Sequence, residues 1–219
     1  MKHPPIMTAL LACGVFACTA ASAEESPWSW RVGPAHLAFH SSATFTLGGG
    51  PAPAGTNAEA KDNTTLGLEI GYKITPEWTG RLLLGLPPTT TLTGSGGPVQ
   101  GLPLAKVVYG PAALTATYGL GQWGSIKPYV GAGIAYNIVF KEKNELLTDV
   151  KIKNSFGTVL QAGFDVPLDK DWSVGVDVRK IFLSAKATAT APPAFGSLPV
   201  TAKVKLDPLV FFVSVGKSF

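Results

Sequence analysis

Apolar side chains alternate with small or polar ones along the last stretch of the chain, from Leu209 to Phe219. In an extended strand successive side chains point to opposite faces, so Phe211, Val213, Val215 and Phe219 share one face, while Ser214, Gly216 and Ser218 share the other. Chain ends usually fray in water. A terminal strand that finishes on an aromatic residue therefore predicts an edge with a partner. In an outer-membrane barrel the last strand closes against the first, because lipid offers no water to an unpaired edge. Phe219 then reads as an interface anchor, with apolar residues facing lipid and the others facing the lumen.

The same period recurs upstream. It predicts strands from Trp28 to His40, Asn63 to Ile74, Trp78 to Leu86, Ala105 to Tyr118, Lys127 to Phe140, Ser155 to Val166 and Trp172 to Lys186. Leu66, Leu68, Ile70 and Tyr72 oppose Thr65, Gly67, Glu69, Gly71 and Lys73. Phe156, Leu160, Ala162 and Phe164 oppose Gly157, Gln161, Gly163 and Asp165. Gly33-Pro34 interrupts the first strand, since proline has no ladder donor. The connections at 75–77, 119–126 and 167–171 are short; those at 41–62, 87–104, 141–154 and 187–202 are long. Eight strands with connections sorted by length predict an all-β fold: an eight-stranded antiparallel up-and-down transmembrane β-barrel.

Faces and aromatics support the membrane reading. A soluble barrel would point its apolar face inward and carry Lys, Glu and Thr outside. Here the second face is mostly Gly and Ala, with isolated charges, which suits the crowded interior of a narrow barrel. In this topology Trp28, Trp30, Trp78, Trp123 and Trp172 gather at one rim with Tyr129 and Phe219, as one aromatic girdle. Lys217, in the outward register of the last strand, reads as a snorkelling side chain.

The N-terminus changes the picture of where the chain goes. Lys2, an apolar run from Ile6 to Ala21 and Ala21-Ser22-Ala23 form a secretory signal, placing cleavage after Ala23. The chain thus divides into a signal peptide, 1–23, and a barrel domain, 24–219. A lipoprotein-type signal at Leu10-Leu11-Ala12-Cys13 is the weaker alternative, with bulky Leu11 beside the cleavage point. Both cysteines, Cys13 and Cys18, lie in the leader, which leaves the barrel without a disulfide or thiol nucleophile. The formal net charge of +4 is small and not clustered, so it gives no nucleic-acid footprint.

Lys61-Asp62-Asn63-Thr64-Thr65-Leu66-Gly67-Leu68, Pro128-Tyr129-Val130-Gly131-Ala132-Gly133 and Asp207-Pro208 near Phe219 resemble the OmpW/AlkL family of outer-membrane proteins. Leu47-Gly48-Gly49-Gly50 and Tyr109-Gly110-Pro111-Ala112 lean towards the AlkL-like branch. The resemblance implies an eight-stranded barrel in the outer membrane of a Gram-negative bacterium. It also implies a hydrophobic channel from the loop end, blocked towards the periplasm, with sideways release into the membrane. Leu83 matches an apolar gate position, and Arg179 stands where several members carry Trp. That departure leaves two options open: an apolar gate, or a polar plug built around Arg179 and Asp177.

Candidate chemistry follows from the loops and the lumen. Segments 87–104 and 187–202 contain no Asp, Glu, Lys or Arg, but are rich in Leu, Val, Pro and Phe. Pro-stiffened apolar loops predict either a greasy entrance or a cap that packs on itself. The route would pass Phe39, Leu83 and Phe156 and leave where Pro34 or Pro111 interrupts pairing. Glu69, Lys73, Arg81 and Asp177, with Arg179, form either a polar plug or a pathway for protons or substrate. His36 and His40, four apart, share a strand face with no acidic neighbour in sequence, so a catalytic constellation is not expected. The expected function is passive uptake of small hydrophobic molecules, alkane-like or fatty, with membrane lipid as the other partner and no cofactor. The alternative is a structural or adhesin-like interaction barrel with a closed lumen.

Overall fold

The computed structural model describes residues 26–219; the predicted leader, with both cysteines, lies outside the described residues. Eight strands form the wall: β1 Trp28–Ala38, β2 Asn63–Lys73, β3 Trp78–Gly85, β4 Pro103–Gly119, β5 Lys127–Asn144, β6 Ser155–Pro167, β7 Trp172–Thr190 and β8 Leu209–Ser218. Each pairs antiparallel with its sequence neighbour, and β1 pairs with β8, so the sheet closes on itself. Closure runs to the end of the chain. Ser29 pairs with Ser218, and the Phe219 backbone N–H donates to the Trp28 carbonyl at 3.1 Å.

The predicted faces hold along the wall. Leu66, Leu68, Ile70, Leu114, Ile134, Leu160, Phe211 and Val213 are exposed on the outer surface, where hydrocarbon rather than water meets them. Leu37, Glu69, Arg81, Leu83, Val159, Arg179 and Phe212 are buried inside. Gly33 shows why small residues line the lumen: an ideal Cβ there would collide with the Val213 carbonyl of β8. The β1–β8 register skips Gly33 and Pro34, while β1–β2 pairing continues through both. The interruption predicted at this site is therefore confined to one side.

Trp28 lies edge-on to Tyr72 at 4.8 Å, Trp30 edge-on to Trp172 at 5.8 Å, and Trp78 against Tyr118 at 5.2 Å, all at the rim with the short turns. Lys217 places its ammonium 5.9 Å from the Trp172 ring centre and 5.7 Å from that of Phe219. Tyr129 does not belong to this girdle. Its position in β5 turns it into the lumen, buried, and Tyr72 and Tyr118 take the rim instead. The turn between β6 and β7 is capped by Asp169, whose Oδ1 accepts the backbone N–H groups of Trp172 (2.7 Å) and Asp171 (2.8 Å). Those two bonds hold its carboxyl below the usual range.

The four long connections are not the irregular loops expected from their Gly and Pro content. They contain Ser42–Leu47, Asn57–Ala60, Thr89–Gly96, Thr148–Ile152 and Pro199–Lys205, which extend the wall beyond the membrane as β-ribbons. Alternation was present in Thr201-Ala202-Lys203-Val204, but short and flanked by breakers. Where two ribbons fail to ladder, side chains take over. Ser41 Oγ accepts the Ala60 N–H and Asn57 Oδ1 the Ala43 N–H, both at 2.8 Å.

Gly33→Val is expected to prevent closure of the β1–β8 seam. In a gel-shift assay of unheated samples, the compact fast-migrating band should be lost, while Gly121→Val, in a turn where a Cβ meets nothing within 4 Å, should retain it despite backbone strain.

Candidate lumen: a charged plug beneath an apolar cavity

Strand register alone brings the lumen charges together. Arg31 on β1 lies directly across from Glu69 on β2, and Arg81 on β3 reaches the same carboxylate from the next strand. Glu69 Oε1 accepts from Arg81 Nη1 at 3.0 Å and lies 3.6 Å from Arg31 Nη1. Its Oε2 is paired with Arg179 Nη2 from the far wall. Arg179 Nε donates to Asp177 Oδ1 at 2.7 Å. Asp177 Oδ2 accepts from Tyr129 Oη at 2.8 Å and Gln161 Nε2 at 2.5 Å. Asp165 completes the set, paired with Arg31 and 3.6 Å from Arg81 Nη2.

Three guanidinium groups thus meet three carboxylates, and the plug is neutral. Neutral partners extend the network, which still leaves Arg179 Nη1 and Asp165 Oδ1 without a hydrogen-bond partner. Arg81 Nε donates to Thr117 Oγ1 at 3.0 Å, Thr115 Oγ1 donates to Gln161 Oε1 at 2.6 Å, and the Arg81 guanidinium sits 4.3 Å from the Tyr129 ring centre. Arg179 is 0% exposed and Glu69 1%. Charges at such depth are sustained by pairing; each isolated ion would cost several kcal/mol.

Of the residues expected in a plug, Glu69, Arg81, Asp177 and Arg179 are there. Lys73 is not: it ends β2 and stands exposed in the water-accessible periplasmic mouth, a hollow of about 780 Å³ that Arg31, Arg81 and Asp165 also line. No described carboxylate lies within 4 Å of its ammonium. Arg31, Asp165, Tyr129 and Gln161 belong to the plug without having been assigned to it. Gln161 and Asp165 carried a signal, the inward register of β6; Arg31 sat unassigned directly after Trp30.

Above the plug the lumen turns apolar. Leu83, Phe212 and Val159 belong to one buried apolar cluster, and a cavity of about 80 Å³ is lined by Leu37, Phe39, Leu83, Val107, Tyr109 and Ile181 among others, with Arg179 of the plug also in its lining. At about 10–15 Å³ per probe sphere it has room for roughly six water-sized groups. Phe39 meets Tyr109 edge-on at 6.3 Å, and Asn63 Nδ2 donates to Tyr109 Oη at 3.0 Å. Leu83 and Phe39 both line this cavity. Phe156 does not. Its odd-even register on β6 places it outside, 70% exposed and packed on Tyr136 at 4.3 Å. Phe212, wholly buried in the inward register of β8, occupies the lumen instead.

Two smaller apolar cavities continue outward, of about 30 Å³ and 60 Å³. The middle one shares Leu92, Ile152, Ala187 and Val204 with the lumen cavity, and Phe45, Leu104, Leu147 and Val200 with the outermost. All four long connections line the outermost, through Phe45, Val99, Leu147 and Phe195. The uncharged segments 87–104 and 187–202 thus turn much of their apolar surface inward, though Leu102 and Leu198 remain exposed. His36 faces outward and shares a hydrogen bond of 2.9 Å with Thr64 Oγ1, and β1 ends before His40, so the two do not share a face.

The lumen's architecture can be set beside known proteins. The OmpW family model matches residues 29–219. The chain belongs to the OmpW family. Among its relatives, the dibenzothiophene metabolism operon protein PahQ of Pseudomonas aeruginosa is 36% identical over 197 residues, covering 90% of each chain. The outer membrane protein AlkL of Ectopseudomonas oleovorans is 28% identical, covering 80% of this chain and 73% of its own. The crystal structure of the outer membrane protein OprG from Pseudomonas aeruginosa superposes with a TM-score of 0.82 at 23% identity, covering 89% of this chain and 97% of OprG, and it shares the fold. This OmpW-family barrel resides in the outer membrane.

Glu69→Gln leaves three guanidinium groups facing two carboxylates. It is expected to cost about 3–5 kcal/mol, read as a lowered urea midpoint for unfolding from lipid vesicles. Glu69→Gln combined with Arg179→Gln restores neutrality and should recover much of that loss; equal loss in both variants would show that charge balance is not what holds the plug.

Proposed function

We propose that this barrel admits small hydrophobic molecules passively, without cofactor or energy input. The observation that carries the reading is the succession of three apolar cavities that starts among the loops and ends on the neutral plug. An apolar molecule gains about 25 cal/mol for each Å² removed from water, and it finds that gain at every stage down to Leu83. Past Leu83 it would have to part paired charges. The plug therefore favours exit through the wall.

The wall is weakest beside the cavity at Pro111. β3–β4 pairing stops at Leu84 and Ala112 and resumes only at Thr89 and Val108. Tyr109 donates its N–H to the Pro88 carbonyl at 3.2 Å, so position 111, two residues on, would donate to the same side were it not proline. Gly85 and Pro111 both line the lumen cavity. The name of the relative PahQ, tied to dibenzothiophene metabolism, agrees with a flat apolar passenger. The rival reading, an interaction barrel with a closed lumen, draws on the narrow middle cavity of about 30 Å³.

Uptake of a long-chain alkane by cells expressing the folded barrel separates the two. Acceleration is expected, and Leu83→Arg, which adds a guanidinium to the cavity floor, should abolish it. Pro111→Ala restores a ladder donor and should slow uptake. No acceleration, with the barrel shown inserted and heat-modifiable, sinks the conduit and favours the closed barrel.

A further inference from the structure

The outer face of the ribbon above the membrane carries a lysine ladder. Lys186 on β7 lies directly opposite Lys203 on the Pro199–Lys205 strand. On the other flank of β7, Ile152 pairs with Ala187, and Lys153 donates its backbone N–H to the Lys186 carbonyl at 3.0 Å. Lys153, Lys186 and Lys203 thus stand side by side on three adjacent strands, about 4.8 Å apart from one strand to the next. All three are exposed, because their inward neighbours Ile152, Ala187, Ala202 and Val204 line the cavities. Lys151 and Lys205 extend the row above and below.

Like charges directly opposite one another destabilise a sheet. Nothing within the described chain relieves the central three: no described carboxylate lies within 4 Å of Lys153, Lys186 or Lys203, whereas Lys205 is paired with Asp207 at 3.1 Å. The rest of this face is hydroxyl-bearing, with Thr44 opposite Lys203, Thr201 opposite Thr188, and Ser42 opposite Lys205. The opposite side of the extension is different. There Lys106 is paired with Glu145 at 2.8 Å, and Glu59, Lys61 and Asp62 lie together.

Height fixes the partner. Phe182, the last outward aromatic of β7, precedes Lys186 by four residues, roughly 13 Å along the strand at about 3.3 Å per residue. The ladder therefore stands in the headgroup layer, directly above the hydrocarbon band. We propose that Lys153, Lys186 and Lys203 dock the phosphate groups of lipopolysaccharide in the outer leaflet, with the neighbouring Thr and Ser hydroxyls as additional donors. A lysine ammonium binds phosphate as a point charge that tolerates varied headgroup geometry. The contact fixes the barrel's height and seats one sector of the extension against lipid.

The test measures binding of intact lipopolysaccharide to the purified, folded barrel in phospholipid nanodiscs. A triple variant, Lys153→Gln/Lys186→Gln/Lys203→Gln, is compared with a periplasmic-rim variant of equal charge change, Lys73→Gln/Lys127→Gln/Lys170→Gln. Roughly a fivefold gain per lysine at an anionic surface predicts about a hundredfold weaker binding in the ladder variant, and no comparable loss in the rim variant. Dephosphorylated lipopolysaccharide should bind the wild type as weakly as intact lipopolysaccharide binds the ladder variant. Wild-type affinity in the ladder variant, equal loss in both variants, or displacement by inorganic phosphate at lipopolysaccharide-like concentrations would each overturn the proposal. All substitutions are at surface lysines, and heat-modifiable migration confirms folding before binding is read.

Discussion

Hydrocarbon offers no hydrogen bonds, so each backbone N–H and C=O inside the membrane needs a partner within the protein. Most other features of this molecule follow from that demand. It makes the sheet close, runs pairing to the last residues, and limits gaps to Gly33-Pro34 and Pro111. Above the membrane the demand relaxes. There Ser41, Asn57 and Glu142 cap N–H groups that a strand would otherwise have to satisfy, and the ribbons diverge without loss. The same chain thus relies on ladders alone where water is absent and adds side-chain caps where it is present.

Closing eight strands leaves an interior that side chains can fill, and the filling divides sharply. Near the periplasm it is ionic and neutral overall; above Arg179 it is apolar. An ion network buried this deeply is not the cheapest way to stabilise a core, since well-packed apolar residues often do as well. On the proposed function, its distinguishing property would be selectivity. An apolar seal would blend into the cavity above, whereas fixed, mutually paired charges would offer an apolar passenger no gain beyond Leu83. On the proposed function the plug thereby turns a dead end into a floor.

The strands and their two faces were legible because period-two alternation is a direct image of the barrel wall. Phe211, Val213 and Val215 could face only lipid once Ser214 and Gly216 faced in. Rim positions were less legible. Tyr129 and Trp30 are both aromatic residues near a strand end, yet one donates to Asp177 in the lumen and the other packs on Trp172 outside. Composition does not distinguish them; register does. Phe156 shows the converse error, since its alternation pointed outward while its bulk invited a lumen role. The long connections were misread because Gly and Pro mark ribbon turns as readily as irregular loops. Pairing among the six charges depends on which strands face each other across the lumen, and that is a property of the closed ring rather than of any local stretch.

Pro34 and Pro111 make the same chemical change to a ladder, the loss of one donor, yet the surroundings give them different consequences. At Pro34 the neighbouring Gly33 lets the β8 backbone approach so closely that no Cβ fits between them, and the gap is sealed by the chain itself. At Pro111 the opposing residue Gly85 has side chains rather than backbone nearby, its missing Cβ lying 3.1 Å from Pro111 Cγ and 3.4 Å from Thr65 Cγ2. Pairing there is absent over several residues, and on the other flank of β4 the register shifts between Val108 and Tyr109. Gly85 and Pro111 both line the cavity, whereas Gly33 and Pro34 do not. A donor lost beside tightly packed backbone changes little, whereas one lost beside an apolar cavity leaves the wall with few bonds to break. On the proposed function, that difference, rather than proline itself, would make the β3–β4 seam the way out.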